Sequence, residues 1–189
     1  MPLRINGTDG SFVIPNVLSR IYAFRPFAYK KMTFRITSNG KAQTKEIDVK
    51  DVVEHAWRFV THTAAGHAPC NDYFKTLQRK KTLMDVLSEG DIILHCLVPK
   101  EGHTSDELPN AATAGRDIGI DLTLLVQPEQ LACTLVHELA HVAGATTNTR
   151  ALDANAAELA LKSCLCARQF NEKILGLIQR INPQGSRIV

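Results

Sequence analysis

The chain has 189 residues, of which 44% are hydrophobic and 22% charged, and its net charge is +3. That length can bury a real apolar core, and the balance is ordinary for a soluble globular protein. The mild charge excludes the dense basic face of a nucleic-acid binder, and no stretch reaches the ~20 apolar residues of a membrane span. Neither nucleic acid nor a membrane is expected as a partner.

The first ten residues lack the apolar run of a secretory leader, so the expected location is the cytoplasm, or outside it by a route without a Sec signal. Residues Met1 to Lys30 contain Pro2, Gly7, Gly10, Pro15 and Pro26 without a sustained period. They read as irregular structure draped over a core. The aromatics Tyr22, Phe24, Phe27 and Tyr29 read as anchors to that core rather than as a base-stacking surface.

Met32, Phe34 and Ile36 then alternate with Thr33, Arg35 and Thr37. Asn39-Gly40 supplies the two positive-φ residues of a tight turn, and the chain returns through Ala42 to Val49 as the second strand of a hairpin. Asp51 is placed to cap a helix running to about Thr63. A second helical region spans Asn71 to Leu87 with a break near Lys80. The cluster Arg79-Lys80-Lys81 reads as a solvated helix end.

Asp91 to Leu97 is a short, nearly continuous apolar run, which predicts a buried strand. Val98 to Arg116 is polar and rich in Pro, Gly and Thr, and reads as a long surface loop of the kind that often carries function. Ile118, Ile120, Leu122 and Leu124 alternate with Gly119, Asp121 and Thr123, so Ile118 to Val126 is expected to be a strand. Its edge is expected to be open to an extended peptide.

Pro128 suits the first turn of the next helix, which runs through His141 to a stop at Gly144. Further helices are expected from Asp153 to about Phe170 and from Asn171 to Ile181. The cysteines Cys70, Cys96, Cys133, Cys164 and Cys166 are odd in number with no CxxC pair. They read as reduced core residues. With no repeat or linker, the expected architecture is one α+β domain of residues 1–189.

His137-Glu138-Leu139-Ala140-His141 carries the chemistry. Histidines four apart lie on one helix face about a turn apart, where both nitrogens reach one zinc ion at ~2.0–2.1 Å. Glu138 points toward the same cleft, where it can act as general base on a water that the metal activates. The flanking Leu135, Val136, Leu139, Ala140 and Val142 are apolar, and two histidines and a glutamate in such a helix are costly to desolvate without a role. A pair of core histidines satisfied by hydrogen bonds is the bland alternative.

Through Val136-His137-Glu138-Leu139-Ala140-His141-Val142-Ala143-Gly144 the chain resembles the zincin superfamily of zinc metallopeptidases. The resemblance covers under a third of the sequence. It implies Zn2+ as cofactor, His137 and His141 as ligands, Glu138 as the catalytic residue, a protein or peptide substrate, and a nearby strand that holds it extended. Thr147 stands where the metzincin branch needs His or Asp. In the gluzincin branch the third ligand is a Glu on a later helix, and Glu158 fits. In the aspzincin branch it is an Asp in a following loop, where Asp153 is nearest.

Glu158 is preferred here because, on a face shared with Leu161 and Leu165, its carboxylate would be buried toward the core. As rival interpretations, the same triad serves a peptidoglycan amidase or peptidase, and a zincin-like module can be catalytically silent. Zincins of this size without a Sec signal also resemble bacterial effector-type proteases. His55, His62, His67, His95 and His103 each stand alone and are assigned no role. Nothing in the sequence selects His103 or Arg150 as an oxyanion stabiliser.

Overall fold

The computed structural model describes residues 3–6, 22–24, 32–38, 41–99, 111–121, 124–125, 127–146 and 156–166. Its class is α+β, as expected. Strand β5 (Ile92–Pro99) is the spine of a five-stranded sheet. Along one side of β5 run β1 (Leu3–Ile5), parallel, and β2 (Tyr22–Phe24), antiparallel. On the other side lies β7 (Asp117–Asp121), parallel, followed by β6 (Ala111–Ala114), antiparallel. The N-terminal region is therefore not simply irregular: two of its segments are strands on β5. Residues 27 and 29 lie outside the described residues.

The sheet places opposite chemistries on its two faces, because side chains alternate along a strand. Ile92, Leu94 and Cys96 of β5 and Ile118 and Ile120 of β7 join the helices in one apolar cluster. The intervening residues of the same strands include His95, Asp117 and Asp121. His95 is fully buried, and Asn6 Nδ2 donates to its Nδ1 at 2.9 Å while its Nε2 donates to Asp117 Oδ1 at 2.7 Å. Both ring nitrogens are thus paired, and the contact ties β1, β5 and β7 together across the sheet.

The hairpin forms as expected. Strands β3 (Met32–Ser38) and β4 (Lys41–Ile47) pair antiparallel with Ser38 opposite Lys41, and residues 39–40 lie outside the described residues. Helix α1 (Val49–Arg58) is capped by Asp48, not Asp51: the Asp48 side chain accepts from the Lys50 N–H at 2.9 Å, and Asp51 sits in the first turn. Asp48 wins because its backbone is extended, as a capping residue requires. The helix continues as a π-helical segment, Phe59–Ala64.

The next helical region breaks near Lys80 as predicted, giving α2 (Ala68–Thr76) and α3 (Leu83–Ser88), with Lys80 at φ 52°. Thr82 and Asp85 close a capping box on α3. The basic cluster between these helices does more than solvate an end. Arg79 and Lys81 both pair with Glu89. Arg79 also donates to the carbonyls of Ala143 (main-chain N–H, 3.1 Å) and Val142 (Nη1, 3.3 Å), capping the end of the motif helix.

Two strand assignments need correction. The stretch from Val98 to Arg116 is not all loop: Val98 and Pro99 extend β5, and Ala111–Ala114 is β6, turned into β7 by Gly115 at φ 66° and Arg116. Alanines are weak strand formers, so tertiary pairing rather than local preference makes this strand. The segment expected as a strand over Ile118–Val126 is β7 only to Asp121, and Leu124 and Leu125 lie in a short helical turn. Both edges of β7 are paired, so among the described strands the open edge belongs to β6 instead.

Helix α4 (Pro128–Val142) carries the motif and packs against α1, β6 and α5 (Ala156–Ser163). The last described helix is shorter than the span Asp153 to Phe170, because the chain leaves it at Leu165 with φ 67°. The expected helix over residues 171–181 lies outside the described residues. Among the described residues no helix is long and apolar enough to cross a membrane.

The cysteines are not all reduced. Cys70 of α2 and Cys164 at the end of α5 form a disulfide, joining residues 94 apart; Cys96, Cys133 and Cys166 are buried thiols. Sequence spacing carries no sign of this pairing, since only the packing of α2 on α5 brings the two together. A loop of that size, once cross-linked, loses much of its unfolded-state freedom. Replacing both Cys70 and Cys164 by Ser is expected to lower the unfolding free energy by about 2–5 kcal/mol in denaturant titration. Non-reducing peptide mapping of the parent should recover the Cys70–Cys164 cross-link.

Candidate metal centre

Helix α4 is buried along most of its length: Leu131, Ala132, Cys133, Leu135, Val136, Leu139 and Ala140 are all in the core. Pro128 fits its first turn because the missing N–H has no helical partner there. Its polar exceptions include Glu138, which is 5% exposed, and the half-buried His137 and His141.

The spacing of the two histidines brings their rings together. The centroids are 4.9 Å apart with planes at 72°, and the two Nε2 atoms are separated by 3.2 Å. At that separation the nitrogens either share one proton or hold one cation between them. Two imidazole ligands of a tetrahedral zinc, each at about 2.0–2.1 Å, stand about 3.3 Å apart, so the separation of the pair matches that ion.

The tautomer of His141 suits the same role. Its Nδ1–H donates to the Ala145 carbonyl at 3.1 Å, which leaves the Nε2 lone pair free. Burial pushes the His137 pKa down to about 4, with His141 beside it adding to the shift. His137 is therefore neutral at neutral pH, the form that binds a metal.

Glu138 is held from the sheet. The Thr113 hydroxyl, on β6, donates to Glu138 Oε2 at 2.6 Å and lies 3.3 Å from the Glu138 main-chain carbonyl. Burial pushes the Glu138 carboxyl above its ordinary value, while the Thr113 hydrogen bond and His141 pull the other way. Its other oxygen, Oε1, accepts no hydrogen bond from any described residue. A buried carboxyl with a raised pKa and one oxygen uncommitted among the described residues is a candidate general base.

The expectation that Glu158 is buried is not met. It is exposed in the first turn of α5, whose inward face is Ala157, Ala160, Leu161 and Cys164. The disulfide at Cys164 lies on that inward face, and Leu165 leaves the helical path altogether. Among the described residues no three His, Cys, Asp or Glu side chains form a metal-holding group, so Glu158 is not brought to the histidine pair. Residue 153 lies outside the described residues, as do residues 103 and 150. His55 and His62 are exposed and His67 is half-buried, while His95 is the paired core histidine of the sheet.

Sequence reasoning missed Thr113 and Ala145. Thr113 sits in a run of alanines with no strand signal, and a main-chain carbonyl leaves no trace in side-chain identity. Gly144 was the available pointer to the second. No family model, curated protein or solved structure matches the chain.

Gly144 makes the turn that delivers the Ala145 carbonyl. Its φ is 91°, and a Cβ there would stand 2.8 Å from the Gln78 Cβ. Gly144→Ala is expected to lower stability by about 1–2 kcal/mol from the left-handed backbone alone. It should also weaken zinc binding by roughly 10-fold or more through the displaced His141 partner. Thermal melting and metal titration of the same variant check both effects.

Proposed function

We propose that this chain is a zinc-dependent peptidase of zincin type. The observation that carries the proposal is the pair of Nε2 atoms 3.2 Å apart on α4, next to a buried carboxylate with one free oxygen. His137 and His141 would hold the ion through Nε2; with Glu158 exposed and away from the pair, a third carboxylate ligand would come from Asp153, which lies outside the described residues. Zinc in such a site supplies a Lewis acid that lowers the pKa of water toward ~7.

The remaining steps belong to the chain itself. Glu138 takes a proton from the attacking water on Oε1 and passes it to the leaving amine, while Thr113 keeps Oε2 in place. Burial supports this role, because a raised carboxyl pKa lies closer to the pH at which the proton must be both taken and returned. Strand β6 is an edge of the sheet among the described strands and packs beside α4. An extended substrate can pair with such an edge through main-chain hydrogen bonds.

The test separates metal from chemistry. Glu138→Gln is expected to bind zinc like the parent and to lose hydrolysis by about 10²-fold or more, because the carboxylate acts on water and does not hold the ion. His137→Ala should lose both. Full activity in Glu138→Gln would sink the mechanism. Zinc titration of Glu158→Ala and Asp153→Ala side by side tests the third ligand: Asp153→Ala should lose affinity by about 10-fold or more while Glu158→Ala stays near the parent.

A further inference from the structure

Thr113 occupies a position that joins two functions, and the register of its strand shows how. Strands β6 and β7 are connected by the two residues Gly115 and Arg116, so Ala114 and Asp117 flank the turn as a hydrogen-bonded pair. Pair types alternate along an antiparallel ladder. Ala112 with Gly119 is therefore also hydrogen-bonded, whereas Thr113 with Ile118 and Ala111 with Ile120 are not. Residues of the second kind turn their own N–H and C=O away from the partner strand. The main-chain groups of Thr113 and Ala111 thus face an edge of the sheet that is open among the described strands.

The side chain of Thr113 goes elsewhere. Cross-strand partners share a face, and Ile118 is a fully buried member of the core beneath the helices. Thr113 accordingly points its hydroxyl at α4, where it meets Glu138 Oε2 at 2.6 Å. Glu138 is 5% exposed and has no other hydrogen-bonded partner among the described residues, so this one hydroxyl sets which carboxylate oxygen is committed.

We propose that Thr113 is a positioning residue: its hydroxyl orients the Glu138 carboxylate while its main chain, on the open edge of β6, pairs with an extended peptide. One residue then registers the substrate backbone against the base. The inference rests on the peptidase reading above for its substrate, but the Thr113–Glu138 pairing can be measured without one.

The variants are Thr113→Val, which keeps the branched shape and removes the hydroxyl, and Thr113→Ser, which restores it. With zinc-loaded full chain and fluorescein-labelled casein as probe, Thr113→Val should lower kcat by about 10-fold or more with KM within about threefold of the parent. Its zinc content should equal the parent's. Thr113→Ser should bring kcat back to within about threefold. A Thr113→Val variant with parental kcat, or a Thr113→Ser variant as slow as Thr113→Val, overturns the proposal.

The second readout needs no substrate. Melting temperatures of the parent, Thr113→Val, Glu138→Ala and the double variant form a cycle. The shifts should be non-additive, the second substitution costing less once the first is made. Additive shifts overturn the pairing whatever the activity. A parent that binds zinc but cleaves no casein counts against the peptidase reading, and the melting cycle then decides the Thr113–Glu138 pairing alone.

Discussion

A helix enclosed by a sheet and other helices can carry a carboxylate only if that group finds a partner inside, because a buried, unpaired charge costs more than the fold can spare. Glu138 on α4 is under this constraint, and Thr113 relieves it from the far edge of the sheet. The partner arrives through a sequence of dependencies. Strand β6 is held by β7, β7 by β5, and β5 by the Asn6–His95–Asp117 contact that crosses three strands. A polar clamp on one face of the sheet thereby helps to locate a polar side chain on the other.

The C-terminal end of α4 is secured by different means. Arg79 caps its last carbonyls, and Gly144 turns the chain so that the Ala145 carbonyl receives the His141 Nδ1–H. Gly144 and Gln78 approach so closely that no side chain fits between them. Helix α5 is locked to α2 by the disulfide and by the Tyr73 hydroxyl, which donates to the Ala156 carbonyl. The two histidines therefore sit near a helix end that these contacts hold in place.

Burial acts on His137 and Glu138 in one chemical sense, toward the neutral form of each, yet it moves their pKa values in opposite directions. For the imidazole this means a lone pair available at neutral pH. For the carboxyl it means a stronger base than a solvated glutamate. A single low-polarity environment thus favours the neutral form of both groups at adjacent positions of one helix, in keeping with the proposed ligand and general-base roles. The Thr113 hydrogen bond opposes the rise at Glu138 and holds the carboxyl in place.

Much of this was legible in the sequence where a local rule governs the outcome. The hairpin at residues 32–47, the break at Lys80, the β5 run and the α4 span from Pro128 all follow from periodicity, turn chemistry and capping, which act over a few residues. The spacing of His137 and His141 likewise placed both rings on one face. What the sequence could not determine depends on contacts between distant segments. Ala111–Ala114 becomes a strand because β7 pairs with it, and Cys70 meets Cys164 because α2 packs on α5. Glu158 turns outward because Ala157, Ala160 and Cys164 take the inward face of its helix, and Leu165, which the sequence groups with Leu161, is exposed. The sequence by itself determined the motif, its helix and its histidine pair; only the tertiary structure decided that Thr113 holds the glutamate, because that hydrogen bond joins residues 25 apart through the register of a sheet.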